Sequence, residues 1–521
     1  MATTQQMIES LLHKAAQARH GGDLDAAEHA LNQIVKLRAS HAGAWSQLAS
    51  IHQYRGDTTR ALASIRKAVK AQPRDGRLQL TLAECCELEG DGDGEGALAA
   101  YSAAAELLPR EPRGLCGRAS ILERMHMLDD ARAAAEQAVE RFPDSAIAAT
   151  MLARVMRRQG EPDRALEFLR AALESVSKPE DEYPAAFELG RLLDKLARYD
   201  EAFAAIQRAN RAQTKAAGLE TIPHDPALGL CDEVRTFTAE QFKQWLDETN
   251  QSKRMPERTA FLFGFPRSGT TMTDRILGSH PDVVILEEQP TIREMHAALH
   301  TVSPEGKPIR ELFPAMTPTQ VETLREAYRS AVRKRLSAKD ARRWKSGELL
   351  VIDKFPLQIT AIGTISRVLP SARVMVALRD PRDACLSAFM QSFGLNRSMM
   401  QMLELDRIAA YYNAIMGFWA DIRERLAVDT LEIRYEDTVE NFESQARRVL
   451  SFLGLEWNDS LGEFHRQLPG TLVSTPSYEA VSRPINRDAI GRWKNYRRHI
   501  AELIESLAPM VERFGYERAD N

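Results

Sequence analysis

The sequence has few cysteines and no long apolar run. Only five cysteines occur among 521 residues, and their spacing fits neither a paired metal site nor a disulfide framework, which is typical of a reducing compartment. No stretch of about 18 apolar residues is present, so no membrane-spanning helix is predicted. The first 22 residues predict an amphipathic helix without the apolar core of a signal peptide. From these absences we expect a soluble, cytoplasmic protein.

The sequence also lacks a strong excess of charge of either sign. Its formal net charge is -4, which argues against a general binder of nucleic acids or membrane surfaces. The composition, 44% hydrophobic and 27% charged, is that of an ordinary globular protein. The length is sufficient for about two or three domains.

Apolar runs of β-branched residues are nearly missing up to residue 215, where alanine predominates at helical spacing. Six alanines recur at intervals of 34, 36, 34, 34 and 37 residues, and three of them are followed twelve residues later by a proline that can end a helix. The alanines are Ala27, Ala61, Ala97, Ala131, Ala165 and Ala202. This period, with a small residue where two helices cross, resembles tetratricopeptide repeats. We predict a helical solenoid of about six repeats over residues 1–215, which either presents a peptide or protein in its groove or only supports the second half.

The pattern changes after a predicted linker at residues 216–256. From residue 257 to the end at 521, short β-rich apolar segments alternate with helical patterns: "TAFLFGF", "DVVILEE", "LLVIDKF", "ARVMVALRD" and "TLEIRYED". Alternating strands and helices predict a mostly parallel sheet covered on both faces, with ligands at the carboxyl ends of its strands. The predicted fold class is therefore an α-solenoid followed by an α/β domain.

A glycine-containing loop, "GFPRSGTT", connects the first of these strands to a helix. Gly264, Gly269 and Thr271 are in register with the phosphate-binding loop of nucleotide hydrolases, but Thr270 stands where that loop has its lysine. Because this lysine would bridge the β- and γ-phosphates, its absence argues against hydrolysis of a nucleoside triphosphate. A smaller 5′ group, such as a phosphosulfate, suits the loop better.

The loop offers several kinds of anion ligand. Backbone N–H groups from Ser268 to Thr271, together with the positive end of the following helix, favour an anion without any side chain. Arg267 adds a planar cation, and the hydroxyl groups of Ser268, Thr270 and Thr271 add further donors. The sequence therefore predicts an anion site at the end of the first strand.

The segment "PRSGTT", followed later by "VALRDPRDACLSAFM", resembles the sulfotransferases that use 3′-phosphoadenosine-5′-phosphosulfate (PAPS). The resemblance covers about residues 257–518 and is greatest to protein-tyrosine sulfotransferases and to bacterial tetratricopeptide-repeat sulfotransferases. It implies PAPS as co-substrate and no metal. It also implies that Arg379 and Ser387 bind the 3′-phosphate, and that the 5′-phosphosulfate loop consists of Arg267, Ser268, Gly269, Thr270 and Thr271.

Two carboxylates and a lysine are the candidates for catalysis. Glu287 and Glu288 end the segment "DVVILEE", and because neighbouring side chains on a strand face opposite sides, only one is expected to point into the cleft. The resemblance assigns the base to Glu288, which lies 21 residues after Arg267, although a bulge would reverse the two. It also implies that Lys354 stabilises the bridging oxygen as the bond to sulfur breaks, and that Arg267 contributes charge to the reaction.

The carboxy-terminal segments extend the resemblance. Tyr435 corresponds to a tyrosine that contacts the nucleotide, and Ser477 and Arg492 lie in a segment similar to a flexible loop that closes over it. Leu286 and Gln289, next to the two glutamates, depart from the family pattern, which has Gly and Thr at these positions.

The sequence as a whole predicts a sulfotransferase that moves a sulfuryl group from PAPS to a hydroxyl group by in-line displacement. The acceptor suggested by the resemblance is a tyrosine of a peptide or protein. A sugar, lipid or small-molecule hydroxyl or amine is an open alternative, as are a P-loop nucleotide kinase and an inactive repeat scaffold. We expect no nucleic-acid or membrane partner, and a homodimer is left open.

Overall fold

The computed structural model describes residues 4–21, 23–55, 57–88, 94–251, 257–466 and 486–518. The described residues up to Leu196 form one compact unit, and those from Ala197 onward form a second. Within this described part of the chain, no helix has the length and apolar character needed to cross a membrane. All five cysteines are buried thiols.

The first unit is built from helices that pack in consecutive pairs, α1 with α2 through α9 with α10, while α11 follows. Its described helices are α1 (Thr4–His20), α2 (Leu24–Leu37), α3 (Ala42–Tyr54), α4 (Thr58–Ala71), α5 (Gly76–Leu88), α6 (Gly94–Leu107), α7 (Arg113–Arg124), α8 (Leu128–Arg141), α9 (Ala146–Arg158), α10 (Pro162–Ser175) and α11 (Pro179–Lys195).

The recurrent alanines lie at the contacts between these helices. The first five, Ala27 to Ala165, are at most 1% exposed, and each lies in the first half of the second helix of its pair. Small residues are required because the helices approach closely: a Cβ added to Gly114 of α7 would lie 2.7 Å from the backbone nitrogen of Ala105. The predicted helical repeats are therefore confirmed.

The second unit contains a sheet of five parallel strands in the order β2-β3-β1-β4-β5. The strands are β1 (Arg258–Gly264), β2 (Val283–Glu287), β3 (Leu350–Lys354), β4 (Arg373–Leu378) and β5 (Asp429–Arg434). Each of them falls within one of the five predicted segments or differs from it by a single residue. The predicted α/β fold is confirmed, because β-rich apolar runs are typical of strands buried on both faces.

Helices cover both faces of this sheet. Ile276 and Leu450 belong to a core cluster on one face, whereas Phe261 of β1 contacts the ring of Tyr328 at a centroid distance of 5.8 Å. The helices are α12 (Tyr199–Ala216), α13 (Ala227–Arg235), α14 (Ala239–Gln251), α15 (Thr270–Gly278), α16 (Thr291–Ala297), α17 (Leu299–Val302), α18 (Ile309–Ala315), α19 (Pro318–Arg333), α20 (Ala338–Ser346), α21 (Ile362–Val368), α22 (Pro381–Phe389), α23 (Leu405–Ile422), α24 (Tyr435–Glu440), α25 (Phe442–Leu453) and α26 (Ala501–Arg513). Among the described residues, four 3-10 helices accompany them, at Pro356–Ala361, Met399–Met402, Asp459–Arg466 and Arg492–Tyr496.

The boundary between the two units differs from the one the repeats suggest. Helix α12 carries the sixth alanine, Ala202, but belongs to the second unit, where the ring of Phe203 lies 5.9 Å from that of Phe389. The segment predicted as a linker, residues 216–256, contains helices α13 and α14, and Trp245 of α14 contacts Phe237 at 5.0 Å between ring centroids. A repeat pattern shows which helix face is apolar, but it does not show what that face packs against.

The buried alanines lead to a prediction about packing in the repeats. Replacement Ala131→Leu inserts three carbon atoms into a position that is 0% exposed, and we expect it to destabilise the repeats by about 1–3 kcal/mol through overpacking. Hydrogen exchange of α7 to α9 measures the effect. Ala133→Leu, at an exposed position of the same helix, is the matched control. Equal exchange in the two variants would contradict the proposed close contact.

Candidate active site

The loop between β1 and α15 depends on two glycines. Gly264 has φ 154°, and a Cβ there would lie 2.6 Å from the carbonyl oxygen of Ala377 on β4. Gly269 has φ 95° and precedes α15, and a Cβ there would lie 2.8 Å from Cδ2 of Tyr435. Arg267, between them, adopts the left-handed region with φ 69°. The chain can therefore make this tight turn, against two neighbouring segments, only with glycine at both positions.

Polar groups converge inside this loop. Ser268 is 1% exposed, and its Oγ has no hydrogen-bond partner within the described residues. The first N–H groups of α15 have no acceptor inside the helix, which is the rule at a helix N-terminus. Thr270 and Thr271, the first two residues of the helix, are also buried. A buried donor without a partner, beside a helix N-terminus, suits an anion.

The end of β4 lies directly beside this loop. Arg379 donates from Nη1 to the carbonyl oxygen of Arg267 at 3.0 Å and from Nη2 to that of Ala489. Its guanidinium stacks over the ring of Tyr435 at 4.9 Å, and its buried Nε has no hydrogen-bond partner in the part of the chain that the structure covers. Arg267 in turn donates from Nε to Oγ of Ser387 on α22 at 3.2 Å. The predicted 5′ and 3′ anion sites are thus contiguous.

The two glutamates at the end of β2 both reach the same lysine. Lys354 Nζ lies 3.2 Å from Glu287 Oε1 and 3.1 Å from Glu288 Oε1. Strand alternation therefore does not separate the two carboxylates at this lysine, because the strand ends at Glu287 and Glu288 takes a left-handed φ of 49°. The backbone N–H of Glu288 donates to the carbonyl oxygen of Lys354 at 2.7 Å and holds this turn.

The glutamates differ in their other contacts. Glu287 accepts a further hydrogen bond from Nη2 of Arg275 at 3.1 Å, and its side chain is 15% exposed. The Glu288 side chain is 46% exposed. Glu287 is therefore held between two cations, whereas Glu288 has one oxygen on the lysine and an open side toward solvent.

Lys354 itself is fully buried and surrounded by negative charge. Burial alone would lower its pKa, but the carboxylates of Asp274, Glu288 and Glu287 outweigh this and raise the pKa above its ordinary value. Asp274 of α15 lies with Oδ2 3.4 Å from Lys354 Nζ and was missed from sequence. The available signal was its place in α15, one helical turn after Thr270 and on the same face.

Asp353, next to the lysine, faces a different environment. It is 1% exposed and its Oδ2 accepts hydrogen bonds from Thr291 Oγ1 at 2.5 Å and from Tyr328 OH at 3.1 Å. Burial raises the pKa of Asp353 to about 6. Because both donors are neutral side chains of neighbouring helices, Asp353 ties α16 and α19 to the sheet. Among the residues described, no group of three His, Cys, Asp or Glu side chains could hold a metal ion.

The carboxy-terminal candidates are only partly described. Tyr435 lies between Gly269 and Arg379, as the preceding contacts require. Arg492 begins a 3-10 helix and contacts the sulfur of Met390 from Nη2 at 3.8 Å. The backbone N–H groups of Gly491 and Trp493 on either side both donate to Asp383, at 2.7 and 2.8 Å. Ser477 lies outside the described residues.

Comparisons with known proteins agree with this arrangement. Residues 260–459 match the family model of the sulfotransferase family, and residues 46–112 and 116–182 match that of the tetratricopeptide repeat. The predicted resemblance is confirmed: segments that match the tetratricopeptide repeat are followed by a segment that matches the sulfotransferase family.

Relatives of known sequence cover parts of the chain. An uncharacterized protein of Aquifex aeolicus is 26% identical over 66% of this chain, and the match spans 44% of that protein's length. Protein-tyrosine sulfotransferase 2 of Gallus gallus is 25% identical over 52% of this chain and 72% of its own. Protein-tyrosine sulfotransferase 1 of Danio rerio is 25% identical over 51% of this chain and 74% of its own length. Among solved structures, that of MamA protein is 18% identical, with a TM-score of 0.30 over 33% of this chain and 92% of its own.

The contacts of Arg379 generate a prediction about nucleotide choice. If its guanidinium reads a 3′-phosphate, Arg379→Ala should weaken binding of adenosine 3′,5′-bisphosphate far more than binding of adenosine 5′-monophosphate. Since Arg379 is 6% exposed, the difference should be about 2 kcal/mol or more, as for buried hydrogen bonds to a charged group. Calorimetry with both nucleotides measures it. Arg373→Ala, at the opposite end of β4, should leave the preference unchanged. Equal losses for both nucleotides in Arg379→Ala would remove the assignment.

Proposed function

We propose that the protein is a PAPS-dependent sulfotransferase whose acceptor is a hydroxyl group, with a tyrosine of a peptide or protein as the preferred substrate class. The observation that carries the proposal is the contact between buried Lys354 and Glu288. This contact lies at the carboxyl ends of the parallel strands, where the predicted anion loop also follows β1. A cation, a partly exposed carboxylate and an anion site side by side are what an in-line sulfuryl transfer requires.

The residues present fit PAPS as the donor. Ser268 Oγ and Arg379 Nε are both buried polar atoms without a partner in the described structure, and they lie in the two contiguous anion sites. Two adjoining anion sites suit a nucleotide with phosphate groups at both the 5′ and the 3′ position of one ribose. In this proposal PAPS supplies the sulfuryl group, and Arg267 with its loop, Tyr435 and Arg492 are further contacts of the nucleotide.

Glu288 is the better candidate for the base because its carboxylate is accessible. A base must reach the acceptor hydroxyl, and the Glu288 side chain is 46% exposed against 15% for Glu287. The left-handed backbone of Glu288 supports this choice, since strained non-glycine residues persist chiefly at functional sites. Glu287, held by Arg275 and Lys354, has the position of an orienting group.

Lys354 is proposed to stabilise the charge that develops on the leaving oxygen. As the acceptor oxygen bonds to sulfur, its proton passes to Glu288 and the electron pair of the broken sulfur–oxygen bond remains on the nucleotide. A fixed ammonium near that oxygen lowers the barrier because it is oriented before the reaction begins. Asp274 lies 3.4 Å from Lys354 Nζ, and it belongs to α15, the helix that begins in the loop.

The proposed acceptor is inferred from relatives and from the residues that follow Glu288. Tyrosine is suggested by relatives named protein-tyrosine sulfotransferases, which are about 25% identical over roughly half of this chain. Gln289, which follows the base, accepts a hydrogen bond from Arg335 Nε at 3.2 Å, and Arg335 also pairs with Glu294 at 2.6 Å. The acceptor side is thus lined differently from the family pattern, and a sugar, lipid or small-molecule acceptor is the alternative.

The two other classes of function have less support. A P-loop kinase would need an accessible acidic residue for magnesium, but Asp353 at the end of β3 is buried under Thr291 and Tyr328. An inactive scaffold would not need a buried lysine with three carboxylates around it. Tetratricopeptide repeats suggest a protein partner, and we propose that their groove receives the peptide or protein acceptor in the cytoplasm.

A transfer assay with radiolabelled PAPS tests this function. The protein is offered tyrosine-containing peptides, a free phenol, an oligosaccharide and a lipid hydroxyl, and labelled products are separated. We expect label on the tyrosine peptides. In a parallel assay with labelled ATP and magnesium in place of PAPS, we expect no phosphoryl transfer to any acceptor. Transfer to the sugar or lipid alone would show that tyrosine is not the acceptor. Phosphoryl transfer from ATP would show that the protein is a kinase and not a sulfotransferase.

Neutralising the proposed base should abolish transfer while binding of the nucleotide remains. We expect Glu288→Gln to lower kcat by about 100-fold to 10,000-fold, because removal of a general base typically costs this much. Affinity for adenosine 3′,5′-bisphosphate should be nearly unchanged, since the residue acts on the acceptor. The matched variant Glu287→Gln should cost less. If Glu287→Gln is the inactive variant and Glu288→Gln retains transfer, the two roles are reversed.

A further inference from the structure

Asp274 is a buried carboxylate for which the proposed reaction so far has no use. It is 2% exposed, and its Oδ2 lies 3.4 Å from Lys354 Nζ. The only other cation that the structure records within 4.0 Å of it is Arg275, whose Nε is 3.8 Å from Oδ1. Asp274 belongs to α15, whose first residue, Thr270, is part of the anion loop. One rigid helix therefore joins the loop to the lysine.

A lysine buried this deeply cannot keep its charge without fixed counterions. Burial can lower the pKa of a lysine by several units, so that the amine would be neutral near pH 7. Lys354 is 0% exposed and has three carboxylates as partners. These carboxylates must therefore stabilise the positive charge of Lys354 on which its proposed role depends.

The three carboxylates are not equivalent during the reaction. Glu288 becomes neutral when it accepts the proton of the acceptor. It therefore stops stabilising the charge of Lys354 while the leaving oxygen gains negative charge. Glu287 divides its oxygens between Lys354 at 3.2 Å and Arg275 at 3.1 Å. Asp274, the most deeply buried of the three, does not receive the proton of the acceptor in the proposed reaction, and its second cation, Arg275, lies 3.8 Å away. Burial raises the pKa of Asp274 above its ordinary value while Lys354 opposes this rise, so the negative charge is lost as pH falls and is present on the alkaline side, where Lys354 titrates.

We propose that Asp274 is a positioning residue that keeps Lys354 protonated and aimed at the leaving oxygen throughout the transfer. The inference rests on the proposed function, because it assigns Asp274 a role only through Lys354. It also explains how the loop and the lysine keep their relative positions, since α15 begins in the loop and contacts the lysine through Asp274 in its second turn.

The charges that face Lys354 determine the expected pH dependence. On α15 this is Asp274, with Arg275 beside it, and at the end of β2 they are Glu287 and Glu288. Burial lowers the pKa of Lys354, but Asp274 is the largest of the effects that raise it. A raised pKa means that the protonated form persists to higher pH. Removing the charge of Asp274 should therefore make kcat decline at lower pH than in the wild type.

The test compares kcat, KM and nucleotide affinity of Asp274→Asn with those of the wild type. We expect the alkaline decline of kcat to move down by about 1–3 pH units, as the loss of a neighbouring opposite charge predicts. Affinity for adenosine 3′,5′-bisphosphate and the thermal transition with this nucleotide bound should change little. The charge-retaining Asp274→Glu should keep the wild-type pH profile, and Thr273→Ser, the preceding residue on α15, serves as control for changes within the helix.

Several outcomes would overturn the inference, and each is separable from failure of the proposed function. If Lys354→Met is inactive but Asp274→Asn has the wild-type kcat and pH profile, Asp274 has no such role. If Lys354→Met transfers sulfate normally, the proposed function of the lysine itself is wrong. Should Asp274→Asn not fold, Asp274→Ser carries the same test. The pH profile of the wild type is a further test. If its kcat declines with a midpoint below about pH 9, which is under the ordinary pKa of lysine, the carboxylates do not keep Lys354 protonated.

Discussion

The site depends on keeping one positive charge where there is almost no water. Lys354 is 0% exposed, so its ammonium is tolerated only because carboxylates from two other segments, α15 and the end of β2, surround it. Removing these carboxylates would leave a buried charge without compensation, which is among the most costly changes in a protein interior. The electrostatic requirement therefore ties the helix after β1, the turn after β2 and the end of β3 into one unit.

Parallel pairing of the strands makes this convergence possible. Lys354 is opposite Leu262 on β1 and opposite Glu287 on β2, so the three strands end at nearly the same level. On the other side of β1, Gly264 is opposite Ala377, which brings Arg379 at the end of β4 beside the loop. A shift of register by one residue on β3 would turn the lysine to the other face of the sheet. The chemistry is thus set by backbone pairing before any side chain is considered.

Much of this architecture could be predicted from sequence, but not all of the site. The five strands and the alanine period were predictable because burial on both faces and close helix contacts each require particular residue types. The joint contact of Glu287 and Glu288 with Lys354 was not predictable, because the alternation of side chains along a strand gives no sign of a left-handed residue at the strand end. Asp274 was missed because a single acidic residue in a helix looks like surface decoration until its partner is known. The assignment of α12 required knowledge of its packing partners, such as Phe389.

The position of β2 at the edge of the sheet has a consequence for how such a site can diversify. The segment that carries the proposed base and the neighbouring Gln289 follows a strand that pairs on one side only, with β3. Insertions or substitutions after this strand would disturb a single ladder of hydrogen bonds, whereas the loop and Arg379 follow strands that are paired on both sides. In terms of the proposed function, the donor would be held between strands that are paired on both sides and the acceptor would be met after the edge strand, so a change of acceptor would not require rebuilding the nucleotide site.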